Sequence, residues 1–393
     1  MSDFDVFWKN RDEAAGKAGT YCNAQNFSVL HPSVNSIYRQ FIQPHPLAKG
    51  GFVVKSSTYL KVIHTSGEHF VFGGETDFAV PSAAQRLDTG TALQAGRDYY
   101  IYLCLTTNAA GENAADIVVS LNNTFPAGYN AYTSRKLGGF HALCANVGVI
   151  TAHPLSGYLA GEILPASFWD LTHRPSCNPE GMVYNKEADV WVDIYLQSGV
   201  GTGTRSAFGG TVTRPRQQLD HIEDMFRVGK RLLTDTEFAS SMEGSNQETN
   251  IFGGVQPGTT GGHTDTAGRR MISNIGCEDG VGAYWQWLQE ITSMVYSSGA
   301  VNTYLSGAVD NGTYSKGNPK TNFTVSDGRL PGFSWAQRPA DTKGQQYGLN
   351  GIIAGGSWSV GAACGSRARY SHYSRLCCDV GIGARGAANT LRS

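Results

Sequence analysis

Between Gly355 and Gly386 the chain sets three short glycine-rich posts around a stretch that follows no secondary-structure period. The posts are Gly355-Gly356-Ser357-Trp358, Gly365-Ser366-Arg367-Ala368 and Gly383-Ala384-Arg385-Gly386. Past the second post, Tyr370 to Gly381 reads YSHYSRLCCDVG. Apolar residues there return neither at every second position nor at three and four. A segment of this kind takes its shape from the residues that bracket it. Trp358, Arg367, Arg369 and Arg385 suit that task as scaffold. A buried Trp supplies area and one N–H. One Arg guanidinium ties several loop carbonyls at once, so a loop holds its course while its neighbours change.

The interior also draws on a narrow alphabet. It lacks Lys, Glu, Gln, Met and Trp. Each of its residues is one that an Asn codon, AAC or AAT, can specify once its adenines are randomised. The adjacent Cys377 and Cys378 need no structural reason if they arose that way. The three posts and their spacing resemble the C-terminal variable region of proteins diversified by retroelements, phage tropism determinants among them. In that family adenine-specific reverse transcription rewrites one segment of a binding protein. The resemblance implies a C-type-lectin-type domain showing variable side chains from a constant scaffold.

By position relative to the posts, the displayed residues are expected to be Ser357, Ser359, Val360, Gly361, Ala363, Tyr370, Ser371, His372, Tyr373, Arg375, Leu376, Cys377, Asp379 and Gly381. Cys378 and Val380 are further candidates. The plainer alternative is an ordinary C-terminal strand pair and loop. Against it, Tyr370, His372, Tyr373, Arg375 and Leu376 crowd among Ser, Cys and Asp. Tyr and Arg are preferred anchors at binding surfaces.

A second resemblance covers about 160–393. The run Lys230 to Ala239 (KRLLTDTEFA), then Asn274-Ile275-Gly276 and Gly282 to Trp287 (GAYWQW), is similar to the formylglycine-generating-enzyme branch of the C-type-lectin fold. The match is partial. Leu233 and Phe238 replace a Pro and a Trp of the first motif. Ala283, Tyr284 and Gln286 replace the Asn, Val and acidic residue of the second. Oxidase chemistry would need paired thiolates for copper. Cys364 with Cys377 or Cys378 is the available set, and it lies in the segment that reads as variable. A catalytic ligand cannot be left to random codon change, so the chain is read as a non-enzyme with no cofactor.

The chain has 393 residues, enough for two or three domains. Its formal net charge is −1, so no strong field draws it to nucleic acid or anionic membrane. Charged residues are 16% and glycines number 49, which suits a loop-rich, β-rich protein. The N-terminus shows acids early and no apolar signal-peptide core, and no apolar run is long enough to span a membrane. The eight cysteines show no CxxC pair, so zinc is not expected. Cys104 and Cys144 sit in apolar stretches and read as core.

Residues 1–48 are mixed, with a helix expected over 12–18 and Pro44 and Pro46 closing the segment. Residues 49–160 read as an all-β region, sandwich or barrel, with strands at 98–107, 114–123 and within 138–151. Residues 161–393 read as the C-type-lectin-type domain, its variable region at about 350–390; the whole is an α+β chain. A strand is expected over 189–197. Leu219, Ile222, Met225 and Phe226 define a helix by one apolar face. Thr234 and Glu237 form a capping box for a second helix over 235–242. Trp285 and Trp287 belong to a strand or short helical segment, and 297–346 to surface loops. Asp220, His221, Glu223 and Asp224 read as a solvated helix face, His263 and Asp265 as a solvated turn, and Lys230-Arg231 as cations at a helix end.

The expected function is recognition of a bacterial cell-surface receptor, protein or glycan, from a phage tail fibre or tail tip. The protein would be made in the host cytoplasm and carried on the virion with other tail proteins. The resemblance adds a homotrimer. A formylglycine-generating-type oxidase and a bacterial, non-phage display protein are the alternatives.

Overall fold

The computed structural model describes residues 42–55, 60–63, 69–72, 78–111, 113–297, 300–303, 348–370 and 373–391. The helix expected over 12–18 and most of 297–346 lie outside them. The architecture is mostly sheet with few helices.

Strands β1 (Ile42–Pro44), β2 (Phe52–Val54) and β5 (Phe78–Val80) form one antiparallel sheet, and β3 (Leu60–Ile63) pairs with β4 (His69–Phe72). Pro44 therefore does not simply close a segment; it faces Phe52 in a strand, at a sheet edge where a missing N–H is tolerated. A second sheet runs β7 (Asn113–Ser120), β6 (Asp98–Thr107), β8 (Ser134–His141) and β9 (Trp169–Asp170).

The run Asp98–Thr107 is the expected strand, and its near-continuous apolar character has a clear cause. Successive side chains of a strand point to opposite faces. Tyr99, Ile101 and Leu103 enter a core with Phe52, Val54, Val80, Phe140 and Phe168. Tyr100, Tyr102 and Cys104 enter another with Trp169, Met182, Trp191 and Ala388. Both faces are covered, so neither is polar.

The second of those cores joins β6 to the C-terminal half. There β10 (Met182–Asn185), β11 (Val190–Asp193), β20 (Gly386–Asn389) and β14 (Arg231–Leu232) make a four-stranded sheet. Trp191 faces β6, while Val190 and Val192 face the main core with Leu233, Phe238 and Met242. The strand expected over 189–197 is divided, with β12 (Gln197–Ser198) pairing instead with β13 (Arg205–Ser206). Between them the Ile194, Tyr195 and Leu196 amides donate to Gly181 O, Ser206 Oγ and Thr260 Oγ1, so separate acceptors, two of them side-chain hydroxyls, satisfy them in place of a strand ladder.

The last sheet is the one that bears the posts. β15 (Trp285–Ser297) pairs antiparallel with β16 (Ala300–Thr303) and β17 (Gly348–Gly355), and parallel with β19 (Ile382–Ala384). β18 (Gly365–Tyr370) continues from β17. Residues 300–303, expected in a loop, thus return as a strand.

Helix α1 (Gln218–Arg227) corrects the apolar-face reading. Its buried residues are Gln218, His221, Asp224 and Met225, whereas Leu219 and Phe226 are exposed. The covered face meets backbone and amides that need polar partners. Gln218 Nε2 donates to Leu288 O at 2.6 Å, His221 Nδ1 donates to Gln197 Oε1 at 2.6 Å, and Asp224 accepts from Gln197 Nε2 and Gly201 N. Buried polar groups are tolerated when so bonded. His221 and Asp224 are therefore not part of a solvated face.

Helix α2 (Asp235–Ser241) starts as expected. The Thr234 hydroxyl accepts from Glu237 N at 3.3 Å and Glu237 Oε2 accepts from Thr234 N at 2.9 Å. Two other local readings change. Lys230 is buried and meets Asp193 at 2.5 Å rather than solvent at a helix end, while Arg231 makes a paired contact with Glu237. Asp265 is buried too, and accepts from Thr249 Oγ1 and the amides of Ala267 and Arg269. His263 Nδ1 lies 2.9 Å from Asp279.

Burial lowers the pKa of His221 to about 3, with the Arg216 charge adding to the effect. Below its ordinary value near 6.5 the unfolded chain takes a proton that the folded chain refuses. Stability from this group is complete above that value and is lost as pH falls toward the folded value. Comparing His221→Gln with wild type isolates this contribution. Wild type is expected to lose about 2 kcal/mol relative to the variant between pH 7 and pH 5. Denaturant melts at both pH values measure it, and a pH-independent difference would contradict neutral burial.

Candidate functional site

The posts act as a frame. Gly355 and Gly356 have φ of +94° and +90°, and a Cβ on Gly356 would lie 2.6 Å from Cys364 Sγ. Only glycine fits there. Trp358 follows, half-buried, its amide donating to Ala283 O at 3.1 Å and its ring edge-on to Tyr284 at 5.4 Å.

The scaffold arginines are buried. Arg369 binds the Asp235 carboxylate through Nε, the carbonyls of Ser366 and Ala368 at 2.9 and 3.0 Å through Nη1, and the Phe238 face at 5.0 Å. Arg385 donates to Gln286 Oε1 at 3.0 Å and to the carbonyls of Asp193, Ile194 and Glu278. Most of these acceptors are main-chain oxygens, present whatever side chain the neighbouring positions carry. Arg367 is likewise buried, in β18.

Around this frame the structure brings two stretches to the surface. In the first, Ser359 is exposed and Val360, Gly361 and Ala363 are half-buried. In the second, Leu376 is 61% exposed, Cys378 is exposed, and Tyr373, Arg375, Cys377 and Asp379 are half-buried. Ser371 and His372 lie outside the described residues. Ser357 and Gly381 are buried and add no area of their own to this surface. A Cβ on Gly381 would press within 3.2 Å of the Trp358 ring.

The patch has an aromatic centre. Tyr370 stacks on Trp285 at 5.9 Å and meets Tyr373 edge-on at 6.0 Å. Tyr373 Oη donates to Asp379 Oδ2 at 3.2 Å. Burial and the Asp379 charge raise the Tyr373 pKa well above the ordinary tyrosine value, so the phenol keeps its proton. Arg375 Nε donates to Gln218 Oε1 at 2.8 Å, and its carbonyl accepts from Gln218 N at 3.1 Å, which ties the second stretch to α1.

Trp285 was missed as a member of this surface. Its only sequence signal was the spacing: Trp285 lies two residues before Trp287 and so shares its strand face, and both join one apolar cluster with Trp287 buried and Trp285 partly so. Gln218 and Gln256, which donates to Val380 O at 2.6 Å, had no sequence signal. Cys364 is buried and its thiol donates to Ser357 O at 3.4 Å, so it packs beneath the first post. Among the described residues no cluster of His, Cys, Asp or Glu suited to a metal ion is present, and no helix is long and apolar enough to cross a membrane.

The chain is sheet-rich, its C-terminal segment is held by a frame that grips main-chain carbonyls, and known proteins share its fold. The family model described as the Mtd second domain matches residues 47–170. Solved structures of Major Tropism Determinant variants resemble the chain. The I1 variant superposes with a TM-score of 0.61 at 24% identity, covering 90% of this chain and 84% of that one. The U1 variant gives 0.60 at 23% identity with the same coverage. A tail fiber receptor-binding protein of Bordetella phage BPP-1 is 27% identical over 253 residues, which are 58% of this chain. The chain spans about three fifths of the length of that relative, 61%.

Proposed function

We propose that the chain is a retroelement-diversified receptor-binding protein of a phage tail fibre or tail tip. It recognises a bacterial surface molecule through the patch built on 357–381. The observation that carries this reading is the division of labour in the C-terminal segment. Arg369, Arg385 and Trp358 hold it mainly through main-chain groups, while exposed Ser359, Leu376 and Cys378 and half-buried Tyr370 and Tyr373 are spared from the frame. Such a frame tolerates rewriting of what it displays. The names of the similar proteins support the same reading, since one is a receptor-binding tail fiber protein and the others are tropism determinants.

In this account residues 161–393 form a C-type-lectin-type domain. An early strand of it, β11, pairs with its last, β20, and the long excursions between them end in the patch. Residues 49–160 attach the domain to the virion and build an oligomer, a homotrimer by resemblance. Repetition of one small patch on linked copies raises avidity by about 10²–10⁴. The partner is a surface receptor, not nucleic acid, in keeping with a net charge of −1. Recognition is non-covalent, with no catalytic step.

Labelled full-length protein tests this directly. It is expected to stain bacterial strains that the source phage infects, to leave resistant strains dark, and in excess to block phage adsorption. Staining that ignores susceptibility, or no staining, would contradict it.

A further inference from the structure

We propose that the turn 251–256 is a constant apolar shoulder of the same receptor contact, taking an apolar area of a bacterial surface protein beside the diversified patch. This rests on the receptor-binding reading. Phe252 and Val255 are 69% and 67% exposed on this turn. They lie far outside the segment bracketed by the posts, so diversification would leave them unchanged.

The turn is rigidly held. Ile251 is buried beneath it and its amide donates to Gly282 O at 3.0 Å. The Phe252 amide donates to Thr264 O at 2.8 Å and the Gly254 amide to Ile251 O at 3.0 Å. Gly253 and Gly254 have φ of +76° and +62°, the left-handed region that lets the chain reverse here without strain.

The turn is also continuous with the patch at both ends. Asn250 Nδ2 donates to Trp358 O, at the head of the first displayed stretch. Gln256 Nε2 donates to Val380 O at 2.6 Å, at the tail of the second. Val380 is itself 51% exposed. Single exposed apolar side chains are common, but apolar groups gathered on one surface mark interaction sites. A second copy of this chain seated on the shoulder would cover the patch as well, so the occupant is the patch's own receptor. One N–H of each of the Asn250 and Gln256 amides goes to a carbonyl of the patch, and the exposed side chains of the turn, Phe252 and Val255, are apolar. That favours a protein surface over sugar hydroxyls.

The consequence is a division between affinity and choice. The shoulder contributes area that every diversified version shares, and the displayed positions choose among receptors. The test uses the full-length protein in two versions that differ only at displayed positions, with intact and protease-treated cells of the strains each version stains. Phe252→Ser with Val255→Ser is expected to lower staining at least tenfold for both versions. Choice of strain, melting temperature and oligomeric state should stay as they were. Phe252→Tyr should retain staining, and protease treatment should abolish it. Unchanged staining by the double variant while Leu376→Ser still alters it would overturn the shoulder alone, as would a loss confined to one version. A changed oligomeric state would make the turn a subunit interface, and staining that survives protease would assign a glycan. If neither the double variant nor Leu376→Ser changes staining, the receptor-binding reading falls with it.

Discussion

Arg385→Met is expected to cost more than about 4 kcal/mol of stability and to leave little folded protein at physiological temperature. Arg385 is fully buried, and its guanidinium reaches three segments at once. It donates to the carbonyls of Asp193 and Ile194 at the end of β11, to Glu278 O, and to Gln286 on β15. Methionine fills the volume but donates nothing. Three backbone acceptors and one amide oxygen then lose this partner; Ile194 O keeps the Glu278 amide, and each buried acceptor left unsatisfied costs about 1–3 kcal/mol. The Asp193 carboxylate keeps Lys230 and the Gly386 amide, so the damage centres on the carbonyls. Arg385→Lys should recover only part of the loss, because one ammonium cannot span the fork. Denaturant unfolding of the purified variants measures this. A cost below about 1 kcal/mol for Arg385→Met would mean that the posts are not the frame.

The opposite behaviour is expected at the displayed positions. Tyr370→Ser with Leu376→Ser should reduce cell staining more than about a hundredfold, since two central anchors of a small contact each supply about 2 kcal/mol or more and every 1.4 kcal/mol is tenfold. The fold should persist. Leu376 is largely exposed, and Tyr370 contributes a stack on Trp285 at 5.9 Å whose loss costs about 1 kcal/mol. Equilibrium staining of susceptible cells, paired with a thermal melt, separates the two effects. Full staining by the double variant would move the receptor contact elsewhere. A collapse of the melt would place Tyr370 in the frame.

How far the sequence was legible depends on the range of the interaction. Local signals held, among them the capping box at Thr234 and Glu237 and the limits of Asp98–Thr107. The posts were legible because glycine, tryptophan and arginine each answer a specific local demand, as Gly356 does above Cys364. Long-range polar pairing was not legible. Periodicity placed Leu219 and Phe226 inside α1, but the helix buries Gln218, His221 and Asp224 against amides and carbonyls that no pattern in the helix reveals. Lys230 and Asp265 looked solvated for the same reason, since their partners Asp193 and Thr249 are supplied by other segments. The shoulder at Phe252 and Val255 lies about a hundred residues before the patch it adjoins, in a stretch with no motif.

Resequencing the 3′ end of the gene across a population of the source genome tests the central claim most directly. The account predicts differences confined to adenine-bearing template positions in the codons of displayed residues, such as Ser359, Tyr370, Tyr373, Leu376 and Asp379. Trp358, Arg367, Arg369, Arg385, Phe252 and Val255 should not vary, and a reverse transcriptase and a near-copy of the segment should lie nearby. One invariant sequence with no reverse transcriptase would contradict diversification and leave a fixed surface on the same frame.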